Sequence, residues 1–393
     1  MKKLIANIIC GFVPKKEWRR KLRAQLTRDR FAELEEKIET VNSNVNFVKN
    51  EIADSARDIA EIVQPKSLPK SSSPDRKEED FVLRGGLLEH GGIDWMSYLL
   101  SHDMATAVSM LRSGLDEQSL AWLDLTFRRI AIFPKDSKKN NYKIRLAHLE
   151  SLCTTEELEC MKFFEKELPK YREEFWVPKD QHFDIATFFF HSGLRSKSDK
   201  MKQYISGKDF IDGGAYIGDT ALVFLRYYNP RRVYSFEISE KNCTAYESVM
   251  QKNNVMPDRY KLIQCGLSDK QCEIFINDSG RSGTSILSTG NDRVLLTDLD
   301  SFAQNNSLNI GFIKADVEGS ILQCLQGMEK TIQRDRPVCC LSIYHNPAEF
   351  FEAKPLLDKI TESLNYSITL EQHRPFQVLP LREIVLFAYP REL

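Results

Sequence analysis

Charge of one sign is absent from this chain of 393 residues: 55 Lys and Arg stand against 56 Asp and Glu, a formal net charge of −1. No global attraction to nucleic acid is expected from that balance. Long apolar runs are absent too. Leu4–Val13 follows two lysines as a signal peptide would, but it is too short to span a bilayer as a helix. It has no small-residue cleavage site and is followed at once by Lys15, Lys16, Arg19, Arg20 and Lys21, which disfavours secretion. Cysteine pairing is absent as well: nine cysteines are scattered with no C-x-x-C and no zinc-type Cys/His spacing. Such thiols read as reduced and mostly buried, pointing to a cytoplasmic location.

What is present begins with an asymmetry. Residues 1–30 hold ten Lys and Arg against Glu17 and Asp29, a segment of +8 on a remainder of −9. This basic amphipathic segment is expected either to lie peripherally on an anionic membrane, with Trp18 at headgroup level, or to pack on the rest of the protein. From residue 31 to 63 Phe31, Leu34, Ile38, Val41, Val45, Val48, Ile52, Ile59 and Ile62 keep heptad steps, with Ser55 in the one polar slot. That pattern predicts a coiled coil and a homo-oligomer, the alternative being a stripe packed on its own chain. Residues 64–80, rich in Pro, Ser and charge, read as a flexible linker. Residues 81–200 carry helical patterning without a chemical motif and are expected to form a helical accessory region beside the substrate pocket.

The pattern changes at Asp209. Phe210 and Ile211 end a short strand, Asp212-Gly213-Gly214-Ala215-Tyr216-Ile217-Gly218-Asp219-Thr220 turns, and Ala221, Leu222, Phe224 and Leu225 open a helix. Strand, glycine-rich turn and helix begin a doubly wound nucleotide-binding sheet. A second strand, Arg232–Phe236, ends in Glu237, placed to accept hydrogen bonds from the two hydroxyls of a ribose. Either NAD or S-adenosylmethionine fits so far. Ala215 breaks G-x-G-x-x-G, and Asp212 would repel a pyrophosphate while suiting the cationic amino acid part of S-adenosylmethionine. Five more strands are expected: Tyr260–Cys265, Asn309–Ala315, Val338–Ile343, and the hairpin-like pair Tyr366–Leu370 and Ile384–Tyr389 around Arg374 and Pro375.

The stretches FIDGGAYIGDT, SFEIS, FIKADVEGS and LSIYHNPAEFFE resemble the FkbM-type methyltransferases over about Tyr204–Pro390. The resemblance implies a seven-stranded Rossmann-like domain over 201–393 that uses S-adenosylmethionine to methylate oxygen on sugars or polyketide-like products, often in cell-surface polysaccharide synthesis. Two departures, Ile238 where the family more often has proline and Ala315 where isoleucine is common, remove no polar ligand group. The cofactor is expected along Asp212, Gly213, Gly214, Ala215, Tyr216, Gly218 and Thr220, with Glu237 and Ile238 at the second strand. Asp269 is expected toward the adenine amino group, and Asp316 faces both cofactor and acceptor. His345, at the same sheet edge, is expected to be the base for a hydroxyl acceptor, with Asp316 orienting it or sharing that duty. Glu318 is expected to favour the start of the next helix. The Ser/Gly-rich stretch Asp278–Thr289 suggests a cover over the pocket or a solvated loop. No metal site is expected. Two other functions stay open: an NAD-dependent oxidoreductase, and a non-catalytic tethering protein that merely retains the fold.

Overall fold

The computed structural model describes residues 98, 101–132, 154–276, 292–373 and 383–393, with backbone alone at 128–132, 276 and 292, and backbone alone also at 81–83 and 142–144. The basic segment 1–30 and the segments expected as a coiled coil (31–63), a linker (64–80), a cover or solvated loop (Asp278–Thr289) and a turn at Arg374 and Pro375 lie outside the described residues. By its contacts the chain divides into two compact units, 1–64 with 96–105, and 65–95 with 106–393.

The larger unit carries the sheet. Its strands are β1 (Phe81–Leu83), β2 (Tyr142–Ile144), β3 (Asp209–Gly213), β4 (Val233–Glu237), β5 (Tyr260–Gln264), β6 (Gly266–Leu267), β7 (Cys272–Ile276), β8 (Asp292–Thr297), β9 (Ile310–Ala315), β10 (Val338–Ser342), β11 (Tyr366–Gln372) and β12 (Ile384–Pro390). Seven of them form one sheet in the order β11-β12-β10-β9-β3-β4-β5, and they are the seven expected from the sequence. All are parallel except β12, which runs antiparallel to both β10 and β11. The order reverses between β3 and β9. There the chain leaves the two carboxyl ends in opposite directions, and a crevice opens.

Burial explains why these segments are strands. β3, β4 and β10 are buried at every position, the mark of parallel strands covered on both faces. Phe210 of β3 and Phe312 of β9 meet Phe224 of the following helix with ring centroids 5.2–5.5 Å apart. All three are fully buried, each contributing about 2–3 kcal/mol of apolar burial. The helices after 116 are α1 (Glu117–Ile132), α2 (Thr155–Glu174), the single turn Ile185–Phe188, then α3 (Asp199–Ile205), α4 (Asp219–Tyr227), α5 (Glu240–Lys252), α6 (Leu299–Asn305), α7 (Ile321–Gly327), α8 (Glu329–Asp335) and α9 (Pro347–Thr361). Side chains start them: Ser239 accepts from Asn242 N at 3.2 Å, Asp298 from Ser301 N at 2.7 Å, and Asn346 from Glu349 N at 2.9 Å.

Region 81–200 contains long helices, but also the antiparallel pair β1–β2, which helical patterning did not suggest. Its helices join the sheet unit. Ser119 of α1 accepts from Leu370 N at 2.9 Å, and Phe127 meets the rings of Phe350 and Phe351 of α9. Trp176 and Asn253 exchange two hydrogen bonds of 2.8 Å. A second surprise is the three-stranded sheet β6-β8-β7. Among the described residues one of its faces is covered: Val294 and Leu296 pack with Ile238, Cys272 and Ile274, while Phe275 and Leu295 are half exposed.

Candidate active site

The turn after β3 owes its shape to backbone contacts. Gly214 N and Ala215 N both donate to Phe236 O at 3.0 Å, tying the turn to β4. Gly214 has φ +73, and a Cβ there would lie 1.8 Å from Asp316 O. Gly218, at φ +86, would place a Cβ 2.7 Å from the Tyr246 ring, so this glycine lets α4 approach α5. The atoms nearest both glycines are the protein's own. Thr220 is buried beside Asp219, which accepts its N–H at 3.0 Å.

Tyr216 sits in the left-handed region at φ 49. Its N–H donates to Glu237 Oε2 at 2.8 Å, and its hydroxyl donates to Gln181 Oε1 at 2.7 Å. Glu237 Oε1 accepts from Ser239 N at 2.8 Å and Asn242 Nδ2 at 3.4 Å. The carboxylate is thereby aimed before any ligand arrives. Burial raises its pKa above the ordinary value despite the bonds from Ser239 and Tyr216. Ile238 packs on the three-stranded sheet. Asp269 lies beyond β6, about one third exposed, with Ser268 Oγ donating to it at 3.1 Å.

Asp212 is fully buried. Neither carboxylate oxygen takes a hydrogen bond from a described residue, though Lys314 Nζ stands 3.3 Å from Oδ1 as counter-charge. Burial raises the Asp212 pKa more than the Lys314 ammonium lowers it. Burial would lower Lys314, but the charges of Asp212 and Asp316 win and hold it above its ordinary value. Asp219, on the same turn, is pushed up to about 7 by burial and by the charge of Asp212. Lys314 and Asp219 were not singled out from the sequence.

At the tips of β9 and β10 the structure brings Asp316, Glu318, Tyr344 and His345 together. His345 Nε2 lies 3.2 Å from Asp316 Oδ1 and 3.5 Å from Glu318 Oε2, while Nδ1 lies 3.3 Å from Glu349 Oε2. Tyr344 Oη is 3.3 Å from Asp316 Oδ2 and 3.4 Å from Glu383 Oε1. Burial would lower the His345 pKa, but Asp316, Glu349 and Glu318 outweigh it and hold the imidazole well above 6.5. Burial would raise Asp316; His345 and Lys314 instead hold it far below the usual carboxylate range. Both shifts favour the pair as imidazolium and carboxylate. Glu349 Oε1 accepts Ile321 N at 2.8 Å at the start of α7. Among the described residues no group of three or more His, Cys, Asp or Glu is arranged to hold a metal ion.

The ion pair makes a stability prediction. A raised His345 stabilises the fold fully below about pH 6.5 and stops doing so as pH climbs through its raised pKa. A depressed Asp316 contributes above about pH 4 and loses that contribution as pH falls through its own value. The stability difference between wild type and His345→Gln is therefore expected to be widest at mildly acid pH and to narrow in alkali. Thermal melts across pH read this; a constant difference into strong alkali would show that the imidazole is not charged.

The strand order is that of a doubly wound α/β sheet. Residues 212–368 match the model of the Methyltransferase FkbM domain, and this stretch of the chain is such a domain. No curated protein matches the chain. Among solved structures, FkbM methyltransferase from Methylobacillus flagellatus KT is similar at 19% identity and a TM-score of 0.46, over 75% of this chain and 61% of that one. An rRNA methylase from Streptococcus thermophilus is similar at 12% identity and TM-score 0.32, over 49% and 92%. Aeropyrum pernix fibrillarin, solved with S-adenosyl-L-methionine, is similar at 13% and 0.29, over 47% and 66%. The chain thus spans less than two thirds of the first structure's length.

The donor that such a domain implies is S-adenosylmethionine. The residues present fit it: Asp212 keeps two buried oxygens without a hydrogen bond for a cationic group, directly or through water, and Glu237 is held ready for a diol.

Proposed function

We propose that the chain is an S-adenosylmethionine-dependent O-methyltransferase acting on a hydroxyl of a sugar or cell-surface glycan. The observation that carries this reading is the closeness of two tips. Asp316 N donates to Gly213 O at 2.9 Å, so a carboxylate facing the acceptor side adjoins the turn expected to hold the donor. When bound, the donor supplies a methyl group on a sulfonium, a leaving group that needs no acid. The chain's own residues do the rest. Asp212 answers the donor's positive amino acid end, and Glu237 accepts from the ribose. Gly213, Gly214, Ala215, Tyr216, Gly218, Thr220, Ile238 and Asp269 frame the nucleoside.

Asp316 takes the acceptor's proton. A carboxylate of depressed pKa is a weak base, but it suffices. As the hydroxyl oxygen gains the methyl group as its third substituent and the sulfur–methyl bond breaks, it turns into an oxonium far more acidic than any carboxylic acid, and its proton passes to Asp316. His345, charged, keeps Asp316 ionised and oriented, and Tyr344 fixes its other side. Holding acceptor and donor in line supplies much of the remaining acceleration. The choice of a sugar follows from what the family resemblance implies. Oligomerisation through residues 31–63 and peripheral membrane contact through residues 1–30, on the cytoplasmic side, belong to the same proposal. No described helix is long and apolar enough to cross a membrane.

Mass spectrometry of surface glycans from cells with and without the protein tests this reading; the expected loss is the mass of one CH₂ group. Calorimetry adds a direct check: the protein is expected to bind S-adenosylmethionine and not NADH, and the reverse would make it an oxidoreductase. Glu237→Gln removes a charged acceptor and one partner of Tyr216 N. Donor affinity is expected to fall about 10- to 100-fold, as for loss of a hydrogen bond to a charged group. Unchanged affinity would move the ribose elsewhere.

A further inference from the structure

Lys314 has no part in the reading above, yet it holds the best-connected position at the crevice. It sits on β9 in register with Asp212 of β3, and its side chain is 11% exposed. Nζ donates to Gly214 O at 2.8 Å and Gly213 O at 3.2 Å, and stands 3.3 Å from Asp212 Oδ1. The ammonium thus donates to two carbonyls and faces Asp212 as its counter-charge. Two further contacts stitch the same place: Asp316 N on Gly213 O, and Asp316 O against the Cα face of Gly214.

We propose that Lys314 is the positioning residue of the donor site, clamping the Gly213 and Gly214 carbonyls and the Asp212 carboxylate so that the donor turn and Asp316 move as one body. The proposal rests on the donor site inferred above. Carbonyls turned toward Lys314 leave the opposite face of the turn to the ligand, and the ammonium supplies the counter-charge that lets Asp212 stay in a dry place. The other groups facing Asp212 are Asp316 from the tip of β9, Asp219 from α4 and Tyr246 from α5. None of them brings a positive charge.

The test uses the full-length protein as wild type, Lys314→Arg, Lys314→Met and the double variant Asp212→Asn/Lys314→Met. Each is titrated calorimetrically with S-adenosylmethionine and with S-adenosylhomocysteine, and melted without ligand, at about pH 6 and about pH 9. In Lys314→Met, Asp212 loses its counter-charge, so its folded pKa climbs further and stability falls as pH rises through it. The melt of Lys314→Met is therefore expected to drop more at the higher pH, and the double variant is expected to lose that pH dependence. Both variants are expected to bind either compound at least about tenfold more weakly, because the carbonyls have lost their clamp. Lys314→Arg, which keeps the cation and donors, is expected to stay closer to wild type than Lys314→Met. Wild-type affinity in Lys314→Met, or a Lys314→Met melt insensitive to pH, would overturn the clamp while leaving the donor site standing, whereas wild-type affinity in the double variant would also take Asp212 out of that site. Failure of wild type to bind either compound would overturn the donor site and, with it, the part of Lys314 in it.

Discussion

Gly214→Ala is expected to cost far more stability than Gly207→Ala, although the two glycines share φ +73. A Cβ at Gly207 meets nothing within 4 Å, so its substitution carries only the strain of a left-handed alanine, about 1 kcal/mol. A Cβ at Gly214 would lie 1.8 Å from Asp316 O and 2.9 Å from Asp316 C. Those are backbone atoms at the tip of β9, and no rotamer change removes them. Either the turn after β3 lifts off or the tip of β9 withdraws, breaking Asp316 N to Gly213 O and the Lys314 contacts. The expected loss is about 3 kcal/mol or more. For a chain of this size it lowers the melting temperature by roughly 6 °C or more, against a few degrees at most for Gly207→Ala. Calorimetry should show donor binding abolished in Gly214→Ala and retained in Gly207→Ala. Equal losses would mean that the two tips yield independently, and that the coupling of donor turn to Asp316 is not mechanical.

The strands of the large sheet were legible because parallel strands buried on both faces spell continuous apolar runs, as FID, VYSF and VCCLS do. β7 and β8 were not. Half their side chains face water, Phe275 and Leu295 included, and a Ser/Gly-rich stretch divides them. Within the site, Asp212 and Glu237 were visible because each ends a strand before a turn. Lys314 was not: on its own it is one polar residue in the strand IGFIKA, and its meaning comes from lying opposite Asp212, about a hundred positions earlier, in the β3–β9 register. Nothing local in a sequence encodes that pairing. The charge on His345 was half legible. Glu349 follows it at i+4 on an N-terminal helical turn, a spacing that brings side chains together. The other two carboxylates, Asp316 and Glu318, arrive from β9's tip through strand order. Three acids around one imidazole raise its pKa and favour the cation, where an isolated histidine would suggest a base.

Asp316→Asn is expected to lower methyl transfer about 10²- to 10⁴-fold while leaving donor affinity near that of wild type. Transfer of labelled methyl from S-adenosylmethionine to extracted surface polysaccharide measures the first, and calorimetry the second. Asparagine preserves the shape at the tip of β9 but cannot take a proton. It also strips His345 of its nearest carboxylate, leaving Glu349 at 3.3 Å and Glu318 at 3.5 Å. The imidazole pKa then falls without losing all support. The small residual turnover is expected to climb in alkali, as a neutral His345 becomes available to accept the proton in place of Asp316. His345→Gln should behave differently. Asp316 loses the cation that depresses it, its pKa rises, and activity falls chiefly on the acid side, where the carboxylate is now partly protonated. At neutral pH that loss is expected to be smaller than for Asp316→Asn, about tenfold, because the proton acceptor itself survives. The opposite ranking, with His345→Gln the more damaging at every pH, would return the proton to the imidazole and leave Asp316 only to orient it.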